Sequence, residues 1–228
     1  MMLQAGDWSI MALSLKVAVV AVLGALPPAC ALAWLLSRAR FPGKVLLDGL
    51  VHLPLVTPPV VVGWLLLGLL GPAAPMGRWL EEVLGLELMF RWTGAALAAG
   101  VMALPLMVRS MRLSFDGVDR RLEDAARSLG AGPVRVFWSV SAPLAAPGVL
   151  AALVLGFARA LGEFGATIAF VSNIPGETRT LSLAIYSALQ TPGGEGTATR
   201  LAVLSILVSL AALIASEAMI RKGRRHAA

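Results

Sequence analysis

Five apolar runs, at about 17–37, 46–70, 93–108, 146–171 and 201–220, constrain this chain more than any motif in it. A helix needs roughly 20 apolar residues to cross the hydrocarbon of a bilayer. Lipid offers no partner to backbone N–H and C=O groups, so runs of this kind fold as helices. The expected fold class is all-α: one polytopic membrane domain over residues 1–228, with about five transmembrane helices. Only 14% of the residues are charged, against about a quarter in a soluble domain. The first run lacks a basic leader and ends at Arg38, so it reads as a span and not as a cleaved signal.

The net charge of +6 would suggest nucleic acid in a soluble protein. Here the basic residues sit in short loops between apolar runs, which points to topology and to no nucleic-acid partner. Arg38, Arg40 and Lys44 fill one loop. Arg109, Arg112, Arg120, Arg121, Arg127 and Arg135 fill the next such segment, and Arg221, Lys222, Arg224 and Arg225 the tail. Segments 71–92 and 172–200 dilute their arginines with glutamate. Cytoplasmic loops are the ones rich in Lys and Arg. The N-terminus is therefore expected outside, in the periplasm, and the C-terminus in the cytoplasm. The outer segment 172–200 should carry a short helix at about 180–190 that covers the outer mouth. Cys30 has no partner in the chain, so no internal disulfide is expected.

Polar residues inside the spans are functional candidates. Arg159 and Glu163, in FARALGEFGA, have the i, i+4 spacing of one helix face. They read either as a compensating ion pair or as an anion-pathway arginine that the glutamate holds in place. Gly156, Gly162 and Gly165 allow close helix approach around them. Pro54, Pro58 and Pro59, in HLPLVTPPVVVGW, interrupt the second span. That is either a kink or the broken helix that lines a transporter's pathway. Thr57 and Pro58 are candidate pore residues there, Thr57 reaching either an oxyanion or a freed carbonyl. His52 reads as a hydrogen-bonded structural group; it has no companions at metal spacing, so no metal site is expected. Lys16 is expected to snorkel. Asp48 and Glu217 lie near the inner span ends without assigned chemistry, Glu217 at pairing distance from Arg221 along the helix. Nothing suggests an intramembrane hydrolase, since there is no G-x-S-x-G.

EDAARSLGAG, residues 123–132, is the polar exception between the third and fourth runs. Strong helix formers with acids first predict a helix over 123–129. Gly130 and Gly132 should end it, and Pro133 should open a second short helix. Val134, Phe137 and Trp138 then recur at helical spacing. The residues alone leave two readings, a solvated connector and a docking knob.

This loop resembles the cytoplasmic loop of type I ABC importer permeases, whose pattern is E-A-A, three residues, Gly, nine residues, an aliphatic, any residue, Leu, Pro. Asp124, Ala125 and Ala126 fill the first three positions, Gly130 the glycine, Val140 the aliphatic and Pro143 the proline. Asp124 stands where the pattern has Glu, with Glu123 beside it, and Ala142 stands where it has Leu. The resemblance implies that segment 112–142 is a coupling loop seated in a groove of an ATPase subunit. FPGKVLLD, LPLVTPPVVVGWLLL, ARALGEFGATIAFVSNIPGETRT and LQTPGGEG extend the likeness to bacterial molybdate permeases of the short, five-span type. Sulfate/thiosulfate permeases are the alternative, sharing GEFG and NIPG-like stretches. What the family implies is a homodimer of permeases in the inner membrane, embedded in lipid. Two cytoplasmic ABC ATPase subunits and a periplasmic molybdate-binding protein complete it, with tungstate carried as well. ATP and Mg would be used by the ATPase, with no cofactor on this chain. Consistently, G-x-x-x-x-G-K-S/T is absent: Gly43-Lys44 is followed by Val45.

Overall fold

The computed structural model describes the backbone of residues 5–226 and the side chains of residues 6–214. Every regular element among them is helical. Four helices are long and apolar enough to cross a membrane, and one bent pair brings the total to five.

Helix α1, Ala5–Arg38, starts well before the apolar run at 17. At 1.5 Å per residue it is about 50 Å long, more than the hydrocarbon needs. Its N-terminal turns are held by polar contacts. Asp7 Oδ2 pairs with Arg200 Nε at 2.9 Å, and Ser14 Oγ accepts the Leu181 N–H at 2.7 Å. Lys16 does not simply reach for water. Its Nζ lies 3.5 Å from the centroid of the Trp92 ring, a cation–π contact.

The second span is two helices, α2 (Lys44–Val56) and α3 (Pro59–Leu70), bent by 117°. Pro58 and Pro59 have no N–H to continue the ladder, and the residue before a proline is driven out of the α region. Thr57 accordingly sits at φ −84, ψ 138. Helix α4 (Pro75–Leu84) follows, then α5 (Trp92–Asp116), which continues eight residues past the expected end at 108. α5 is the centre of the molecule, packed along α1 and later along α8. Alanines and glycines make that packing close: a Cβ on Gly100 would stand 3.1 Å from Ala21 O.

α6 covers Arg120–Ser128, starting three residues ahead of the predicted helix. Beyond the glycines a helix does open at Pro133, as expected, but it is neither short nor separate. α7 (Pro133–Val136), a π-turn (Phe137–Ser141) and α8 (Ala142–Leu161) form one continuous rod. Pro143 explains the π-turn. It cannot donate, and its ring crowds the carbonyl one turn back. The widened turn, with the Ala142 N–H bonded to Phe137 O, absorbs the misfit.

The fourth span is also corrected. It does not run on to 171: α8 ends at Leu161, Gly162 to Phe164 break it, and α9 covers Gly165–Val171. Glu163 therefore lies beyond the helix and not on its face. α10 (Leu181–Leu189) matches the expected outer helix and packs on α11, Glu195–His226. The expected Glu217–Arg221 pair lies outside the described side chains.

Candidate functional site

Asp119 starts α6 by accepting the Arg121 N–H on its Oδ1 at 2.9 Å, an N-cap bond. Gly130, at φ 85, ends it. The Gly130 N–H bonds Arg127 O and the Ala131 N–H bonds Ala126 O, at 2.9 and 3.0 Å. This is the double closure of a Schellman motif, which needs a left-handed residue at that corner.

The two adjacent acids then point to different places. Glu123 is only 2% exposed. Its Oε1 accepts Arg38 Nε at 3.0 Å, Arg38 Nη2 at 2.9 Å and Ser141 Oγ at 2.7 Å. Asp124 is exposed and meets Arg127 Nη1 at 2.6 Å. Leu129, Val134 and Trp138 are also exposed, Leu129 at 90%. The knob is thus bolted to the end of α1 by Glu123 and turns Asp124 with an apolar surface outward. Ala125 is exposed beside them, and Ala126 is partly so. Phe137 fixes the rod behind the knob, edge-on to Trp34 with ring centroids 5.8 Å apart. Val140 lies in the π-turn and Pro143 in the first turn of α8, so both shape the rod on which the knob turns.

The two broken spans meet. A Cβ on Gly165 would stand 2.8 Å from Pro59 Cβ, and one on Gly63 2.5 Å from Ala166 O. At this crossing Arg159 Nη1 pairs with Glu163 Oε2 at 2.7 Å, while Glu163 Oε1 accepts the Ala166 N–H at 2.7 Å. Glu163 is buried and Arg159 half-buried. One carboxylate therefore both balances the cation and caps α9. Thr57 Oγ1 donates to Leu53 O at 2.9 Å, a carbonyl that also accepts the Thr57 N–H at 3.0 Å, so the hydroxyl is spent within its own turn, and Pro58 is the N-cap of α3. His52 Nδ1 lies 2.9 Å from Asp48 O, the structural role expected of it.

Residues 10–225 match a family model described as binding-protein-dependent transport system inner membrane component. The chain belongs to that family. It is 53% identical over 227 residues to the molybdenum transport system permease protein ModB of Escherichia coli (strain K12), covering 100% of this chain and 99% of that one. It is 54% identical over 205 residues to the ModB of Haemophilus influenzae, covering 90% of each. A bacterial alginate ABC transporter, solved in complex with an alginate pentasaccharide-bound periplasmic protein, shares the fold. Its TM-score is 0.75 at 17% identity, over 96% of this chain and 80% of that one.

The permease also holds polar contacts that sequence reasoning missed. Arg112 Nη1 pairs with Asp48 Oδ1 at 2.9 Å, and Arg112 Nε lies 3.8 Å from Asp116 Oδ2. Ser37 Oγ donates to Asp116 Oδ1 at 2.5 Å. Beside them a cleft of about 360 Å³ opens between Asp48, His52, Arg109 and Arg112. Asp48 and Arg112 are 64 positions apart. The one local signal was the i, i+4 spacing of Arg112 and Asp116.

Proposed function

We propose that this permease is the membrane-spanning subunit of an ATP-driven importer that carries molybdate, and tungstate as well, into the cytoplasm. Full-length identity of 53% to a molybdenum permease carries the substrate assignment. The geometry supports the coupling role: a knob bolted inward through Glu123 presents Asp124, Leu129 and Trp138 to a partner. That partner is a cytoplasmic ABC ATPase, with ATP and Mg on its side. Two permease copies enclose the pathway, because roughly five helices enclose little alone. A periplasmic binding protein delivers the anion. The N-terminus lies in the periplasm and the C-terminus in the cytoplasm, in keeping with the basic loops on one side.

In this reading, closure of the ATPase pair pushes the two knobs and flips the pore outward; hydrolysis resets it. The crossing of the two broken spans is the gate. Arg159 offers the anion a cation there, held in place by Glu163, with Thr57 and Pro58 at the neighbouring break. The test is radiolabelled molybdate uptake into vesicles that hold both partners, with tungstate and sulfate competing. ATP-dependent uptake that tungstate blocks and sulfate does not is the expected result. Uptake blocked by sulfate at equal concentration would move the assignment to sulfate/thiosulfate.

A further inference from the structure

We propose that Asp48 and Arg112 are positioning residues in a polar relay that carries motion of α6 to the lower half of the broken span. The inference rests on the reading of α6 as the element that an ATPase grips. The relay runs from Glu123 to Arg38, which grips it at 2.9 Å. Arg38 Nη1 lies 3.5 Å from the buried Ser37 Oγ, and that hydroxyl donates to Asp116. Asp116 flanks Arg112, and Arg112 holds Asp48 on α2 at 2.9 Å. Six side chains thus connect the cytoplasmic knob to a helix that makes no large contact with it.

α2 has the ends and the sparse packing of an element that can move as a unit. It begins after the left-handed Gly43, at φ 85, and ends at the extended Thr57. Both ends are therefore hinge-like, since a few element-terminal residues absorb such rotations. Only one of its side chains, Val51, is buried among those that pack it. Leu47 packs partly buried against the same core, and the Asp48–Arg112 pair adds a direct polar tie to α5. The cleft beside that pair leaves α2 room to shift.

The two halves of the relay differ in a way that suits their places. Glu123 is buried and Arg38 mostly so, at 3% and 10% side-chain exposure. A buried pair is expensive to break, so knob and α1 move together. Asp48 and Arg112 are 36% and 30% exposed. Pairs this wet form and break at small cost. The joint at α2 can therefore change partners during a cycle, with Asp116 as the second acceptor for Arg112.

The experiment reconstitutes the full permease with its ATPase and binding protein, and measures molybdate imported per ATP hydrolysed. Asp48→Asn and Arg112→Gln should keep the complex intact on size exclusion and keep hydrolysing ATP. Import per ATP should fall about tenfold, within the range of couplings between sites. The double variant should fall no further than either single one, since both remove one contact. Asp48→Glu should restore the ratio. A static staple would instead show as loss of assembly with an unchanged ratio in whatever complex remains. Either that result or a wild-type ratio in Asp48→Asn overturns the relay. A wild-type permease that holds no ATPase overturns the functional reading itself, and the relay with it.

Discussion

Gly165 lies directly against Pro59, so the break in the fourth span and the break in the second share one crossing. Neither residue has atoms to spare there. On the facing side Gly63 stands where a Cβ would be 2.5 Å from Ala166 O and 2.8 Å from Ala169 Cβ. The obstacle at Ala166 is backbone, which cannot swing aside as a flexible side chain does. Gly63→Val should therefore cost about 1–3 kcal/mol through overpacking. Thermal unfolding of the purified permease measures it, and an unchanged midpoint would mean that α3 and α9 do not touch this closely.

Glu163 does two jobs that substitutions can separate. Glu163→Gln keeps an acceptor for the Ala166 N–H but leaves Arg159 without its counter-charge. Breaking a buried pair costs about 3–5 kcal/mol, and the half-buried Arg159 puts this case at the low end. Glu163→Ala should lose about 1 kcal/mol more, the worth of a helix cap. Arg159→Gln should cut molybdate uptake while the complex assembles normally. Equal loss of uptake and assembly would leave Arg159 as a structural partner only.

Legibility in the sequence followed the range of the physics. The spans were readable because apolar length is a local property, and the prolines at 58 and 59 marked the break in the second one. The end of α6 was readable because glycine is the residue that takes the left-handed turn at 130 without cost. The break after Leu161 was not. Apolar residues continue to Val171 on both sides of it, and the interruption depends on Glu163 folding back onto Ala166. The continuous rod from Pro133 was hidden for the opposite reason: Pro143 signals a start, but the turn widens to carry the helix past it, and contacts of Phe137 with Trp34 and Ser141 with Glu123 hold that widened turn. Of the two acids in the knob, composition favours neither. The choice is made by Arg38, which lies 85 positions from Glu123.

Gly130 offers a clean test of backbone conformation. An added Cβ would meet nothing within 4 Å, so space is not the constraint. Its φ of 85 is. A left-handed residue costs most L-amino acids about 1–2 kcal/mol, and asparagine less. Gly130→Asn should keep ATPase association close to wild type, and Gly130→Val should weaken it. Gly130→Trp should disrupt it, adding bulk to the surface the partner approaches. Co-elution of permease and ATPase reads all three. A stable, fully coupled Gly130→Trp complex would count against the knob as the gripped element.

The contrast between Glu123 and Asp124 separates the bolt from the outward contact. Glu123→Gln leaves the mostly buried Arg38 without its acid, at about 3 kcal/mol, the low end for a broken buried pair. It should lower the unfolding temperature of the permease on its own, with no partner present. Asp124→Asn removes only an exposed pair with Arg127, worth at most about 1 kcal/mol. Its effect should appear instead in the affinity for the ATPase, measured by titration of one purified partner into the other. If Asp124→Asn destabilises the isolated permease and Glu123→Gln weakens only the complex, then the outward acid is Glu123 and the knob turns over in the assembly.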